Sequence, residues 1–325
     1  MSKRIAILGA GAMGSVFGGH LALAGHDVTL VDVRREHMEK VRRDGLVMRS
    51  PDGSSQTIHL AATADPAREL DQVDLIIVLC KAFATGEAAR SITHAVGAGT
   101  LVATVQNGLG NDRVLGEVLG VERVVPGTTT VGAEMYEPGV TVMSAITADR
   151  RSITHLGPPR TQGAITDGVR ELAATLAGAG LPAEGLDSAD VVIWTKLAMA
   201  GPMGPVTAVL RRSVNDVWND ELGRELIRAL FDETIAVGRA SGVTLDAESI
   251  WEHCLHTFQA VGSHVTSMAA DVLARRRTEI DAFCGEITRL GEHHGVPTPV
   301  NRTLWRQVRV IEASYDRTLA ETAPL

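Results

Sequence analysis

The sequence predicts an α/β protein whose first half is a doubly wound parallel sheet and whose second half is a separate, all-helical domain. Short apolar runs alternate with helical segments in the first half, and a glycine cluster joins the first run to the first helix. From residue 188 onward, apolar residues recur with helical spacing almost to the end. We therefore predict one domain at 1–187 and a second at 188–325.

The composition excludes several classes of protein. The chain has 325 residues, of which 45% are hydrophobic and 22% charged, as is usual for a soluble globular protein. Its net charge of −8 leaves no electrostatic footprint for nucleic acid, and no uninterrupted apolar run is long enough for a membrane span. Glycines break the N-terminal apolar run too early for a signal peptide, and three distant cysteines predict no disulfide framework. We expect a cytoplasmic protein.

The elements of the first half follow from its apolar runs. RIAIL (4–8) and VTLVD (28–32) predict the first two strands, and the segment 15–24 between them predicts a helix that stops at Gly25. The continuous apolar runs 73–79 and 100–105 are typical of central parallel strands covered on both faces. The remaining predicted elements are a hairpin turn at 50–56, a crossover helix at 85–96 and short strands between 123 and 157.

The second half reads as a series of helices. Four segments carry clear helix-period apolar positions, namely 222–241, 247–258, 269–293 and 300–315. The third is expected to stop at the sequence HHGVP, where Gly295 and Pro297 are termination signals.

A glycine motif follows the first predicted strand directly. GAGAMG places Gly9, Gly11 and Gly14 in the pattern G-x-G-x-x-G at the start of a predicted helix. The first glycine permits a tight turn, the second lets the backbone approach a pyrophosphate, and the third allows close helix–strand packing. The helix N-terminus adds free N–H groups and the positive end of a dipole. We therefore predict a Rossmann-type dinucleotide site formed by Gly9, Ala10, Gly11, Ala12, Met13 and Gly14.

The end of the second strand bears on the choice of cofactor. A carboxylate at the position of Asp32 typically accepts hydrogen bonds from the ribose hydroxyls of NAD and repels the 2′-phosphate of NADP. Arg34 and Arg35 follow and are able to pair with such a phosphate, or they are the solvated start of a helix. These residues favour NADH over NADPH.

Polar residues follow two of the central strands. Lys81 comes after VDLIIVLC, and Asn107, within Gln106-Asn107-Gly108, comes after TLVATV. Ligands of open α/β sheets bind beyond the carboxyl ends of the strands, so both side chains are candidates to reach a nicotinamide ribose or a substrate. The plainer alternatives are a solvated lysine and a turn-forming asparagine.

The segment VVIWTKLAMAGPMGPVTAV, residues 191–209, contains a single charged residue, Lys196. A lysine in such a segment extends its ammonium to solvent or is held where a proton is needed. An apolar environment lowers the pKa of a lysine and makes it a better acid.

Taken together, these motifs resemble the ketopantoate reductases (2-dehydropantoate 2-reductases) along almost the whole chain. The resemblance rests on GAGAMG, the Lys81 strand end, QNGLG (106–110), GTTTVGA (127–133), THLGP (154–158), WTKL (194–197) and SM…RRRTEID (267–281). It implies a Rossmann domain, a helical C-terminal domain, and NAD(P)H-dependent reduction of a small 2-keto acid in the cleft between them. NADPH is the cofactor that the family implies, and a homodimer is expected.

The resemblance also implies roles for individual residues. Lys196 matches the family's proton donor, and Glu279 matches the acidic residue that binds the substrate hydroxyl and supports the active geometry beside the cofactor. Asn107 and Ser267 match polar substrate contacts, and Lys81 matches a lysine near the nicotinamide. Two alternatives remain open, in which Glu279 is an exposed helical carboxylate paired with a nearby arginine and Ser267 is a helix N-cap.

The chain departs from the family at the substrate positions. Ala200, Gly204 and His264 stand where the family usually has asparagines, and Cys284 replaces another polar residue. Since a site for a polar substrate discriminates by pairing its polar groups, these changes favour a bulkier or more apolar 2-keto acid than ketopantoate.

Two other functions compete with this interpretation. A β-hydroxyacid-type dehydrogenase also carries a lysine on a helix, but we find no Gly-Gly substrate loop of that class. A non-catalytic NAD(P)-sensing protein would have no need of Lys196 and Glu279. The histidines at 253, 256, 293 and 294 lack further ligands at suitable spacing, so no metal is predicted.

Overall fold

The computed structural model describes residues 2–148, 152–260 and 262–317, without the side chain of Ile146. The chain divides into two compact units, Met1–Val192 and Ile193–Leu325. The domain boundary predicted between residues 187 and 188 remains a prediction. In the described part of the chain, no helix is both long and apolar enough to cross a bilayer.

All twelve strands of the described residues lie in the first unit. They are β1 (Arg4–Leu8), β2 (Asp27–Val31), β3 (Leu46–Arg49), β4 (Ser55–Ile58), β5 (Ala61–Thr63), β6 (Val73–Val78), β7 (Val96–Thr104), β8 (Val124–Thr129), β9 (Ala133–Glu137), β10 (Val140–Met143), β11 (Thr154–Leu156) and β12 (Ala183–Gly185).

The α-helices are distributed over both units. Those of the first unit are α1 (Ala12–Leu23), α2 (Arg35–Asp44), α3 (Pro66–Glu69), α4 (Thr85–Ser91), α5 (Asn111–Leu119), α6 (Ala145–Ala148) and α7 (Asp167–Gly178). Helix α8 (Asp190–Ala200) begins in the first unit and continues into the second. The others are α9 (Met203–Leu210), α10 (Val214–Trp218), α11 (Glu221–Ala240), α12 (Ala247–Ala260), α13 (Ser267–Leu273), α14 (Glu286–His294) and α15 (Pro299–Ala313).

Six parallel strands form the centre of the main sheet. Their order is β5-β2-β1-β6-β7-β8, which is the doubly wound order of a Rossmann fold once the inserted hairpin β3–β4 is set aside. The chain runs outward from β1 in one direction and then returns to β6 on its other side. The topological switch point therefore lies between β1 and β6, where such sheets bind ligands.

The first unit extends this sheet and adds a second one. Strand β11 pairs antiparallel with β8, and β12 completes an eight-stranded sheet. A separate four-stranded sheet has the order β4-β3-β10-β9. The hairpin turn predicted at 50–56 is confirmed between β3 and β4.

The continuous apolar strands are explained by burial on both faces of the main sheet. Along β1, Ile5 and Ile7 belong to one hydrophobic cluster, whereas Ala6 and Leu8 belong to another. Successive side chains of a strand point to opposite faces, so a strand covered twice is apolar at every position. Strand β6 repeats this pattern.

Aromatic packing and one half-buried carboxylate organise the second unit. The rings of Phe231 and Trp251 lie 5.0 Å apart, and those of Trp218 and Phe258 lie 5.1 Å apart. Glu233 of α11 accepts hydrogen bonds from the backbone N–H groups of Val300 and Asn301, at 2.8 and 2.9 Å. This carboxylate satisfies two free donors in the first turn of α15 and complements its dipole.

The single helix predicted at 269–293 is wrong. Helix α13 ends in a Schellman motif, in which Arg276 N–H donates to Asp271 O at 2.8 Å and Arg275 N–H donates to Val272 O at 3.0 Å. Arg275 has a φ of +54°, a left-handed conformation that glycine usually supplies. An arginine gives no stop signal in sequence, and the apolar periodicity continues on both sides of it, so the pattern predicts one helix.

Smaller differences concern the ends of helices in the first unit. The first helix starts at Ala12 rather than Ser15, because the glycine motif itself supplies its opening turn. The predicted crossover helix 85–96 ends as α4 at Ser91 and is followed by a short 3₁₀ turn, Thr93–Ala95.

Candidate active site

The glycine loop after β1 is shaped by close backbone packing. Gly9 has a φ of +97°, and a Cβ there would lie 2.2 Å from the backbone nitrogen of Cys80. A Cβ on Gly14 would lie 2.2 Å from the carbonyl oxygen of Gly9. At Gly11, in contrast, the nearest atom to an added Cβ is Arg34 Nη2, at 3.8 Å. Two glycines therefore permit packing, and the third leaves open space beside the helix.

The start of α1 fits the pyrophosphate of a dinucleotide. Gly11 is the N-cap residue, no side chain caps the helix, and its first turn contains no acidic residue. The first N–H groups and the dipole thus remain available to an anion in the space beside Gly11.

Asp32 lies directly after β2 and is held by Arg34. The guanidinium donates to both carboxylate oxygens, with Nε to Oδ1 at 2.9 Å and Nη2 to Oδ2 at 3.0 Å. Nη2 also lies 3.1 Å from the carbonyl oxygen of Ala10, and Nη1 lies 3.3 Å from the sulfur of Met135 on β9. Arg34 is therefore neither a free phosphate ligand nor a merely solvated residue, because it joins Asp32 to the glycine loop.

His37 is a supporting residue that the sequence analysis missed. It is buried on α2, its Nδ1 accepts from the N–H of Gly139 at 2.9 Å, and its Nε2 lies 2.8 Å from the Ala10 carbonyl. Since Nδ1 accepts, Nε2 carries the proton and donates to Ala10. Burial, assisted by the charge of Arg34, lowers the pKa of His37, so the neutral ring is favoured. Only its position three residues after Arg34 connects it to the motif in sequence.

The two other predicted residues of the first unit lie at the carboxyl ends of β6 and β7. Lys81 is half-buried and precedes a 3₁₀ turn, Ala82–Ala84, while the side chain of Asn107 is exposed. Lys81 follows Cys80, whose backbone packs on Gly9. The structure therefore brings the glycine loop, Asp32, Arg34 and the Lys81 segment together around the switch point.

A chain of buried hydrogen bonds links the ends of these two strands. Gln106 Nε2 donates to the carbonyl oxygen of Cys80 at 2.7 Å and to Thr85 Oγ1 at 2.8 Å. Thr85 Oγ1 donates to Asn111 Oδ1 at 3.2 Å, and Asn111 Nδ2 donates to the carbonyl oxygen of Asn107 at 3.1 Å. Because the chain of bonds ends at the backbone carbonyl oxygens of Cys80 and Asn107, the network fixes the backbone beside both Lys81 and Asn107.

Lys196 and Glu279 both lie in the second unit. Lys196 is half-buried on α8, and Glu279 is 8% exposed in the segment between α13 and α14. Burial lowers the pKa of Lys196 from 10.5 to about 8, while the negative charge of Glu279 acts to raise it. The pKa of a lysine whose ammonium extends into water would not be lowered in this way. The alternative of an exposed helical Glu279 is wrong, since the residue is buried and outside the α-helices.

The remaining predicted substrate positions lie on the surrounding helices and loops. Ala200 is the last residue of α8, and Gly204 is buried on α9, where an added Cβ would come within 3.7 Å of Met268 Cβ. The side chain of His264 is exposed. Thr266, whose hydroxyl accepts from Ala269 N–H at 3.2 Å, is the N-cap of α13, so the alternative N-cap role of Ser267 is wrong.

Metal chemistry finds no support in the described residues. Within them, no group of three or more His, Cys, Asp or Glu side chains is placed to hold a metal ion.

A glycine loop at a topological switch point and an acidic residue after the second strand are typical of a nicotinamide-dependent oxidoreductase, and the second unit adds a half-buried lysine and a carboxylate. Two family profiles match this chain. Ketopantoate reductase PanE/ApbA matches residues 5–154, and Ketopantoate reductase PanE/ApbA C terminal matches residues 189–312. The chain belongs to the ketopantoate reductase family.

Curated relatives agree over nearly their full length. The chain is 31% identical to 2-dehydropantoate 2-reductase of Halobacterium salinarum over 319 residues, which cover 95% of this chain and 99% of the relative. It is 29% identical to the enzyme of the same name from Archaeoglobus fulgidus, over 96% of this chain and 98% of the relative.

Solved structures show the same fold. A ternary structure of D-mandelate dehydrogenase with NADH and anilino(oxo)acetate has a TM-score of 0.87 and 28% identity, covering 96% of this chain and 99% of that one. A PanE/ApbA family ketopantoate reductase from Ralstonia eutropha JMP134 has a TM-score of 0.87 and 29% identity over the same shares. The chain is an NAD(P)H-dependent 2-keto acid reductase, which excludes the sensing protein and the β-hydroxyacid dehydrogenase as interpretations.

Proposed function

We propose that this protein reduces an aryl or branched-chain 2-keto acid to the 2-hydroxy acid, with NADH as the preferred donor and Lys196 as the general acid. The observation that carries the proposal is the apolar character of Ala200 and Gly204 in the same unit as the half-buried Lys196. The chain shares its family, its fold and its reaction type with the relatives. The choice of substrate and of cofactor is specific to this chain.

The bound dinucleotide would supply the hydride that adds to the carbonyl carbon of the substrate. As negative charge develops on the carbonyl oxygen, the Lys196 ammonium stabilises it and donates a proton, which leaves a hydroxyl group and a neutral amine. With its pKa lowered to about 8, Lys196 remains mostly protonated near neutral pH and is a stronger acid than an ordinary lysine. The negative charge of Glu279 favours the charged form of this ammonium.

Two substitutions relative to the family support a larger, less polar substrate. Ala200 and Gly204 have no groups to pair with a substrate hydroxyl, and a Cβ added at Gly204 would come nearest to the apolar side chain of Met268, at 3.7 Å. Losing such donors removes the penalty against substrates that lack the matching hydroxyl. The similar D-mandelate dehydrogenase was solved with anilino(oxo)acetate, an oxoacetate that carries an aromatic ring. Phenylglyoxylate is therefore the first substrate to test.

Asp32 supports NADH as the preferred cofactor. A carboxylate directly after the second strand typically accepts hydrogen bonds from ribose hydroxyls and repels a 2′-phosphate, and Asp32 pairs with the guanidinium of Arg34. The same D-mandelate dehydrogenase was solved with NADH. Ala10, Ala12 and Met13 complete the loop that would hold the pyrophosphate beside Gly11.

Initial rates with a panel of keto acids and both cofactors test this function. We expect phenylglyoxylate or a branched-chain 2-keto acid with NADH to give the highest kcat/KM. Ketopantoate with the highest value would overturn the substrate assignment, and a preference for NADPH would overturn the cofactor assignment. The variant Lys196→Ala is the control, because it should bind NADH normally and reduce every one of the acids far more slowly than the wild type.

We also propose that the protein is a homodimer and cytoplasmic. Several large apolar side chains of the helical unit are exposed, among them Leu222 at 73% and Val310 at 66%. Such residues are candidates for a subunit interface. Light scattering would give about twice the chain mass of 34.4 kDa, and a monomer would contradict the proposal.

A further inference from the structure

The segment that carries Glu279 lies outside the α-helices. It follows the Schellman end of α13 and precedes a π-helical turn at Asp281–Gly285, which leads into α14. A π-helical turn within a helix often accompanies a functional site, since it alters the direction of nearby side chains. The backbone carbonyl of Glu279 accepts a turn-type hydrogen bond from Ala282 N–H at 3.0 Å, and contacts with other elements add to this bond in holding the segment in place.

Thr278 and Glu312 provide those contacts. One carboxylate oxygen of Glu312, Oε1, accepts from both the N–H of Thr278 at 2.6 Å and its hydroxyl at 2.7 Å. The hydroxyl of Thr278 in turn accepts from the N–H of Ile280 at 3.2 Å. The residues on either side of Glu279 are thereby joined to one carboxylate.

The residues of this arrangement are largely buried. Thr278 is 1% exposed, Ile280 is fully buried, and the side chain of Glu312 is 9% exposed. Hydrogen bonds to an ionised carboxylate are stronger than those between neutral groups, and they are stronger again away from water. Glu312 belongs to α15, so the Glu279 segment is anchored to a neighbouring helix.

Other contacts with α15 anchor the two ends of the same segment. The indole N–H of Trp305 donates to Asp281 Oδ1 at 2.8 Å, after Glu279. The hydroxyl of Tyr315, just beyond α15, donates to the carbonyl oxygen of Arg276 at 2.8 Å, before Glu279. Thr278 and Glu312 lie between these anchors, next to Glu279 itself.

We propose that Thr278 and Glu312 are positioning residues that hold the Glu279 carboxylate where its charge stabilises the Lys196 ammonium. The proposal rests on the proposed function of Lys196 as a general acid. Neither residue needs to touch the substrate, because each acts through Glu279.

The physical reason is the opposition of two effects at Lys196. Burial disfavours its charged form, and the charge of Glu279 favours it. Because the interaction of two charges weakens with distance, a Glu279 side chain that is free to move would support the ammonium less well. The pKa of Lys196 would then fall further, and less of the acid would be protonated at working pH.

Several other charged groups around the segment form ion pairs. Arg276 pairs with Asp271, Arg277 with Asp281, and Arg309 with both Asp281 and Glu312. A change of Thr278 to an uncharged residue alters none of these charges. Any effect on Lys196 would therefore come from the position of Glu279 and not from a new field.

The test compares Thr278→Val with Thr278→Ser. Valine has the shape of threonine without its hydroxyl, and serine retains the hydroxyl. The pKa of Lys196 is measured from the pH dependence of its acetylation by acetic anhydride, quantified by mass spectrometry. This measurement requires no substrate, so it can fail or succeed independently of the proposed function. The basic limb of the kcat profile is recorded alongside it.

We expect Thr278→Val to lower the acetylation midpoint of Lys196 by most of the shift seen in Glu279→Gln. Thr278→Ser should retain the wild-type midpoint, and the double variant Thr278→Val/Glu279→Gln should equal Glu279→Gln alone. A wild-type midpoint in Thr278→Val, or additive shifts in the double variant, would overturn the inference. If Thr278→Val does not fold, Thr278→Ala takes its place with the same expectations. If Thr278→Val shifts the midpoint but the wild-type protein reduces no keto acid, the proposed function alone is refuted.

Discussion

At the scale of single residues, the proposed reaction depends on the environment of one ammonium. Lys196 lies on a helix with no other cationic residue, and burial lowers its pKa to about 8. The same burial that makes the group a better acid also threatens its protonation, and Glu279 compensates for this. The mechanism therefore predicts a specific dependence on pH.

We expect kcat to fall as the pH rises through about 8, because the acid must be protonated to act and its pKa lies there. Lys196→Ala should lower kcat by roughly a hundredfold to ten-thousandfold, the usual contribution of a general acid. Lys196→Arg should keep a weak activity without the basic limb, since arginine stays charged throughout this range. A pH profile of kcat measures all three, and an unchanged basic limb in Lys196→Arg would argue against the role of Lys196.

Asp32 and Arg34 act as a pair at the same scale. In Asp32→Ser the carboxylate no longer repels a 2′-phosphate, and the guanidinium of Arg34 is released to bind it. We expect the ratio of kcat/KM for NADPH over NADH to rise by roughly ten- to a hundredfold, the value of a charge-assisted hydrogen bond.

The control for this change is Asp32→Ser combined with Arg34→Ala. Without the guanidinium, the ratio should return most of the way toward wild type. An equal rise in the single and the double variants would mean that Arg34 takes no part in cofactor choice.

At the scale of elements, the order of the strands creates the site and short polar contacts complete it. Strands β1 and β6 meet at the switch point, and Gly9 packs on Cys80 at their ends. The network through Gln106, Thr85 and Asn111 then connects β6 with β7. The elements supply the location, and the buried hydrogen bonds supply the precision.

Removal of the central hydroxyl of that network should affect one end of the cofactor site. Thr85→Val leaves the buried amides of Gln106 and Asn111 each short of a partner, at a cost of about 1–3 kcal/mol for each unsatisfied group. We expect kcat/KM for the keto acid to fall by about tenfold, the equivalent of 1.4 kcal/mol. ADP-ribose, which would occupy only the glycine loop and Asp32, should bind as in wild type.

Thr85→Ser retains the hydroxyl and should behave as wild type. Calorimetry with ADP-ribose separates the two explanations of a slow Thr85→Val enzyme. An equal loss of ADP-ribose affinity would indicate general damage to the first unit rather than a local effect beside Lys81 and Asn107.

At the scale of the whole molecule, the sequence patterns were informative wherever structure depends on neighbours along the chain. The run RIAIL, the glycines after it and Asp32 predicted the Rossmann half correctly, since strand burial, tight turns and strand ends leave local traces. The helix break at Arg275 escaped prediction, because a left-handed arginine looks like any helical residue in sequence. The N-cap of α13 is Thr266 and not Ser267, the N-cap considered from the sequence, because nothing in the sequence distinguishes two adjacent hydroxyl residues.

The sequence by itself determined the family and the α/β and helical halves of the chain, because motifs in a fixed order carry that information, and from the same motifs it predicts Lys196 and Glu279 as the acid–carboxylate pair. Only the tertiary structure decided that Arg34 pairs with Asp32, that His37 holds the glycine loop and that Glu312 anchors Thr278. The last two contacts join residues distant along the chain, and the first depends on a rotamer. A choice among many possible polar partners is made by three-dimensional proximity and burial, for which the linear pattern contains no periodic signature.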